Sequence, residues 1–362
     1  MISIMKNIYN LYYETFLSRS QSLLGLLLLL LCTAIAILLS FSLQIIFHEL
    51  GHLLFGKITG YRFWFLRILD LVLIKEQNKW SLKRYGSYGS LGQCLMLPSK
   101  GYQKNIPYAL YHLGGIIVNG FTGILSLYFL MNGKFTSYFL CNFIIFLTFF
   151  GLGFSILNGL PCRIFGNNDG SNYFALKNDI SAQASYYQQI KILHEVFKGS
   201  SFGEIPINRL QVPWGCDLTN PIIINQKLIE CYHYMEHKKW QKAKEVIKAI
   251  IASMEGLNNS LADELRMEVI FLEILLGDFP SVMIKNIPRI METKKGYQWD
   301  ADLVRYRVAY EIYHDFNRLT LDEVNKMKET YLLKIDKLEK YHLFLGQVKF
   351  LRKMVIALLD KD

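Results

Sequence analysis

Residues 48 to 52 read HELGH, two histidines four positions apart with a glutamate beside the first. On a helix this spacing puts both imidazoles on one face, where their neutral ring nitrogens can share a metal ion. Two imidazoles and one carboxylate around zinc, with a position left open to water, are the usual hydrolytic arrangement. The metal acidifies its water, and a neighbouring glutamate takes the proton and later returns it to a leaving amine. The pentapeptide therefore points to metal-assisted hydrolysis, with His48 and His52 as ligands and Glu49 as the base. HExxH is a short pattern, and a pair of helix-surface histidines is the plainer reading. The setting favours the metal. The motif abuts Leu23 to Phe47, 25 residues without a charge, and ionisable groups at membrane depth cost about 2–3 kcal/mol each without a functional reason.

A third ligand is needed, and three residues compete for it. Asp169 lies in NNDGSN and is the first carboxylate after Glu76. Its Asn-Asn and Gly neighbours permit a tight turn that aims the side chain inward, so it leads. His112 enters the second apolar run at the same end, and Asp179 follows a little further along the chain.

The elements that must position these groups are apolar. Beyond residues 23–47, uncharged runs extend over about 107–131 and 135–160, separated only by NGKF. Each is long enough at 1.5 Å per residue to cross a hydrocarbon core of about 30 Å. The first is too long for a signal peptide and has no small-residue cleavage site after it. The mean hydropathy of +0.20 agrees with a membrane part.

The charge distribution sets topology and excludes one class of function. The net charge is +10, but residues 1–160 hold 12 basic and 4 acidic residues, whereas the polar remainder is nearly neutral. A nucleic-acid binder carries its basic face on the soluble part, so nucleic acid is not an expected partner. Nine of the basic residues fall in the 53–105 loop. By the positive-inside rule that loop is cytoplasmic, the N-terminal segment 1–22 is outside and everything after the third run is inside. The loop contains FWFLRILDLVLI and SLGQCLMLP, β-prone stretches expected to form a small sheet at the inner face. Six scattered cysteines without a CxxC pair suggest neither a disulfide scaffold nor a cysteine zinc cluster.

From about residue 172 onward the pattern turns helical with an ordinary charge load. Between Ile222 and Ile290 it reads as helix pairs, with an opening aromatic that recurs from Trp240 to Phe279 and an LLGDF corner similar to that of tetratricopeptide repeats. HYMEH, residues 233–237, matches an inverted zinc pattern but has no downstream carboxylate motif, and solvated helix-end histidines are the better reading. HEVFK, from His194, lacks the second histidine and reads as surface helix.

Taken in order, HELGH at the end of an apolar run, GGIIVN (Gly114 to Asn119) and NGLP followed by DG (Asn158, Pro161, Asp169, Gly170) resemble the site-2 proteases, zinc metalloproteases that cut within or beside transmembrane segments. Ile116 stands where that family usually has proline, and the interval from Pro161 to Asp169 is longer than usual. The resemblance covers about residues 23–175. It implies that His48, His52 and Asp169 are zinc ligands and Glu49 the catalytic base. It also implies that Asn119 and Asn158 hold the substrate strand or the oxyanion, and that the β element of the loop pairs with an unwound substrate segment.

The expected protein is thus an all-α membrane protein with a small β element, a three-span zinc metalloprotease core (23–175) followed by a soluble helical, repeat-like domain (176–362). Its expected activity is cleavage of a membrane-spanning segment of a protein or peptide precursor, with the lipid bilayer and a protein partner of the helical domain as further contacts. Lys-, Ile- and Asn-rich usage points to a bacterial source. The alternatives are a non-catalytic membrane adaptor or immunity protein built on the same fold, and a transporter or receptor subunit, for which three spans are few.

Overall fold

The computed structural model describes residues 2–19, 22–76, 79–85, 91–99, 107–161, 168–253, 260–277, 301–315 and 320–360. Among these residues the chain is mostly helical with one small antiparallel sheet, and three of the described helices are long and apolar enough to cross a membrane.

The first helix, α1 (Ile2–Arg19), lies against the bundle, where the Tyr12 hydroxyl donates to Asn142 Oδ1 at 2.7 Å. Ser22 then caps α2 (Leu23–Ile58), its hydroxyl accepting from the Gly25 amide. HELGH lies within this same helix, which runs on past the apolar stretch because HLLFGKI contains no proline and its one glycine, Gly56, costs only about 1 kcal/mol. It ends where Gly60 adopts φ 85°, so that the Gly60 and Tyr61 amides fold back onto the Lys57 and Gly56 carbonyls.

The other two apolar helices, α3 (Tyr108–Asn132) and α4 (Tyr138–Gly159), fall close to the expected runs and pack on α2 and on each other. Small residues set the spacing. A Cβ on Gly51 would stand 2.4 Å from the Gly114 carbonyl oxygen, and one on Gly151 2.8 Å from Gly123 Cα. Polar side chains tie the helices where the backbones touch: Ser40 to the Phe143 carbonyl (2.9 Å), Gln44 to the Leu147 carbonyl (3.0 Å) and Thr148 to Ser126 (2.9 Å). Close small-residue contacts with interhelical hydrogen bonds are how helices associate when their surroundings are as apolar as their side chains.

Between α2 and α3 lie β1 (Arg62–Ile68), β2 (Leu71–Glu76), β3 (Lys79–Arg84) and β4 (Gly92–Leu97), in the order β3-β2-β1-β4, with every pairing antiparallel. FWFLRILDLVLI supplies β1 and β2, and SLGQCLMLP supplies β4. Phe65, Val72 and Ile74 pack with Phe197 and Leu343 of the helical part. On the other side Cys94 and Met96 join Tyr61 and Tyr111. This leaves β4 at an edge, next to α2.

After α4 the chain forms α5 (Asp169–Leu176), α6 (Ile180–Phe197), α7 (Pro221–Glu236), α8 (Trp240–Ser253), α9 (Ser260–Leu276), α10 (Ala301–Asp315), α11 (Leu321–Tyr341) and α12 (Leu345–Leu359). Consecutive packing of α7 on α8 and α8 on α9 has the form of helix pairs, and Trp240 opens α8. The second aromatic of the recurrence, Phe279, lies outside the described residues. In this core the fully buried Arg305 guanidinium binds both oxygens of Glu268 and is ringed by Tyr232, Phe271, Tyr306 and Phe350. A buried cation persists only when paired in this way. Leu176 is buried with Ile222 and Ile223 of α7, so α5 belongs as much to the helical part as to the bundle.

A candidate metal centre at the end of α2

His48 and His52 project from one face of α2 as their spacing requires, with ring centroids 4.7 Å apart. Their Nε2 atoms are 3.1 Å apart, and Asp169 Oδ2 lies 2.9 Å from the first and 3.3 Å from the second. Among the described residues, this is the group of three ligating side chains close enough together to hold a metal ion. Metal–ligand bonds of about 2.1 Å in a tetrahedron set ligand–ligand edges of about 3.4 Å. The observed triangle is near that size, and one carboxylate with two imidazoles is a donor set suited to zinc.

Asp169 reaches the histidines because α5 is fastened to the end of α4. Asn168 caps α5 through the Ser171 amide at 2.9 Å and donates back to the Leu157 and Leu160 carbonyls at 2.7 and 2.6 Å. Gly170 closes the joint, since a Cβ there would fall 2.3 Å from the Gly159 carbonyl oxygen. Burial resists ionisation of the Asp169 carboxyl, but His52 and His48 outweigh it and hold the group well below the usual carboxylate range. The ligand is therefore in its charged form at neutral pH.

A second layer orients the imidazoles. His52 Nδ1 is 2.7 Å from the Tyr111 carbonyl oxygen, which can only accept, so Nδ1 carries the hydrogen and Nε2 presents its lone pair. His48 Nδ1 meets the fully buried Asn119, 3.3 Å from its Nδ2, while Asn119 Oδ1 has no partner among the described residues. Turned about its last bond, the amide would accept the His48 Nδ1–H through that orphan oxygen and leave Nε2 free for metal. The residues present thus fit a bound metal ion, with Asn119 placed to hold the His48 tautomer that coordination through Nε2 requires.

Beside the triad a cavity of about 520 Å³ is lined by Glu49, His112, Asn158, Tyr186 and the strand from Gly92 to Leu95. Glu49 is nearly buried and lies against β4, where a Cβ on Gly92 would be 2.5 Å from Glu49 Oε1. Gly115 is under the His48 ring, where a Cβ would stand 2.5 Å from His48 Cε1.

The residues expected from the sequence fall as follows. His48, His52, Asp169 and Glu49 come together. Asn158 lines the cavity, its Nδ2 donating to the Phe154 carbonyl at 3.1 Å, whereas Asn119 sits behind His48 and does not line it. His112 is at the cavity but outside the ligand triangle. Asp179 caps α6 through the Ala182 amide and receives Asn220, away from the histidines. In HYMEH, His233 and His237 are bound to the carbonyls of Phe202 and His233, and Glu236 to Lys353 at 2.6 Å. The HEVFK histidine, His194, stacks edge-on against Trp64. Tyr186, Gly92 and the Tyr111 carbonyl were not foreseen; a lone tyrosine, a strand glycine and a backbone oxygen carry no pattern in the sequence. No protein-family model, curated protein or solved structure matches this chain.

Proposed function

We propose that the chain is a membrane-embedded zinc endopeptidase, similar to the site-2 proteases, that cleaves a membrane-spanning or signal-peptide-like segment. The observation that carries this reading is the convergence of His48, His52 and Asp169 beside Glu49, in a cavity at the end of three apolar helices. In the orientation given by the basic 53–105 loop, that end faces the cytoplasm together with the helical part, and the N-terminus is outside.

His48, His52 and Asp169 hold the zinc, which when bound polarises the peptide carbonyl and acidifies water. Glu49, beside the triad, accepts the proton of the attacking water and delivers it to the departing amine. β4 borders the cavity at the edge of its sheet, so an unwound substrate segment can lie along it as a further strand. The helical part, packed on the sheet and on α5, is suited to recruiting the substrate or a partner protein from the same side.

The test uses the full chain purified in lipid nanodiscs, its zinc measured by mass spectrometry, and coexpression with single-span reporter proteins. Wild type should hold stoichiometric zinc and cleave a reporter; Glu49→Gln should keep the zinc and lose the cleavage. Absence of stoichiometric zinc, or cleavage untouched by Glu49→Gln, overturns the proposal. Intact function in Glu49→Gln would instead favour a non-catalytic adaptor.

A further inference from the structure

Hydrolysis of a peptide bond needs more than a base and a metal. The water oxygen bonds to the carbonyl carbon, the C=O π pair moves onto the carbonyl oxygen, and the water's proton passes to Glu49. When that pair returns, the C–N bond breaks and the nitrogen leaves with the proton held by Glu49. Between the two steps the oxygen is negative, and donors already aimed at it supply much of the rate.

The amides nearest the triad are engaged elsewhere. Asn119 lies behind His48 and off the cavity, the Asn158 nitrogen is at the Phe154 carbonyl and the Asn168 nitrogen at the end of α4. Two other groups lining the cavity are unspent. His112 on α3 is only 5% exposed, yet its Nε2 has no partner among the described residues. Tyr186 on α6 packs against it, ring centroids 5.2 Å apart, and its hydroxyl makes no hydrogen bond among those residues. The buried His112 nitrogen with nothing to bind is expensive to keep and calls for an explanation, while Tyr186 is half-buried at the cavity wall. Burial, with Tyr61 and Asp169 nearby, pushes the Tyr186 phenol well above its ordinary value, so it remains an O–H donor at neutral pH.

From this arrangement we infer that Tyr186, assisted by His112, donates to the carbonyl oxygen of the scissile bond as it becomes negative. The inference rests on the endopeptidase reading and adds to it that the helical part, through α6, supplies a catalytic residue. The zinc ligands come from α2 and α5, the base from α2, and the oxyanion donors from α3 and α6. The site is complete only when the helical part is docked.

The experiment uses the zinc-loaded full chain in nanodiscs and, as probe, a dye-labelled single-span peptide rich in Leu and Ala with Lys flanks, its fragments identified by mass spectrometry. Tyr186→Phe should lower kcat by about 100–1,000-fold with KM and zinc content unchanged. A phosphinate isostere of the bond that wild type cuts should lose affinity for this variant by the same factor as kcat/KM. His112→Asn, which keeps an N–H, should lose less rate than His112→Ala. Full kcat in Tyr186→Phe, or loss of its zinc, overturns the inference while leaving the endopeptidase reading in place. Failure of wild type to release any Glu49-dependent fragment sinks that reading and this inference with it.

Discussion

Gly92 and Gly115 carry no reactive atom, yet each faces one that is reactive. A methyl group at residue 115 would overlap the His48 ring at 2.5–2.7 Å, and one at residue 92 would press on the Glu49 side chain at 2.5–2.9 Å. The two substitutions should therefore separate the functions of the site. Gly115→Ala should weaken zinc binding at least about 10-fold, as loss of ligand orientation does. Gly92→Ala should keep the zinc and depress cleavage; titration with a competing chelator and a cleavage assay distinguish them, and equal effects on both readouts would refute the assignment. Asn119→Ala should cost about 10–100-fold in zinc affinity for the same reason as Gly115→Ala. At this scale HELGH was legible because i and i+4 is a local relation that any helix enforces, and Asp169 because few carboxylates compete with it. The place of Asn119 behind His48 was not legible: which face of α3 meets α2 is decided by Gly51 against Gly114, a contact between residues 63 positions apart in sequence.

The three apolar helices pack through close backbone approach at glycines, whereas the sheet and the helical part are held by large apolar side chains. Gly114→Leu places a branched side chain against the Gly51 carbonyl and must separate α2 from α3. Overpacking of this kind costs about 1–3 kcal/mol, and here it also displaces the Tyr111 carbonyl that orients His52. The expected result is a lower Tm together with reduced zinc content, whereas Gly153→Leu, at a position with open space around it, should change neither. Hydropathy located α3 and α4 well and ended the first run at Phe47, because it registers the charges of HELGH as a boundary. Helix propensity does not, and α2 continues to its stop at Thr59 and Gly60. Strand order was out of reach of the alternation pattern, since β1 is flanked by β2 and by β4 from beyond the β2–β3 hairpin.

In the whole molecule, the sheet is one of the contacts between bundle and helical part, beside α5 and the His112–Tyr186 pair. Trp64 is nearly buried, with His194, Phe197 and Phe344 set edge-on around it. Burial, with Lys198 and Arg62 nearby and Glu195 opposing them, lowers the His194 pKa from 6.5 to about 4. The folded state therefore resists protonation that the unfolded chain accepts. Stability from this contact is complete above pH 6.5 and is lost as the pH falls toward 4. Thermal unfolding at pH 7.5 and 5.0 should show a drop that His194→Gln reduces; an identical drop in the variant would locate the pH sensitivity elsewhere. The sequence offered His194 only as a surface residue, because the partner that buries it comes from β1. Under the proposed orientation, a reporter fused after Asp362 should be active only in a cytoplasmic environment, and one fused before Met1 only outside.

The length of α2 has a consequence for what is released. Its 36 residues span about 54 Å, and an average tilt of about 20° still leaves about 51 Å along the normal of a hydrocarbon layer about 30 Å thick. In the proposed orientation, a helix that enters the layer at Leu23 has left it before His48, which puts the proposed site at the lipid boundary and not at the midplane. A segment cut at that level keeps nearly all of its apolar length on one side of the break. Under the proposed function, one product would then stay anchored in the bilayer while the other departs with only a short greasy stub, the chain working as a shear that frees a soluble domain without having to extract it from lipid.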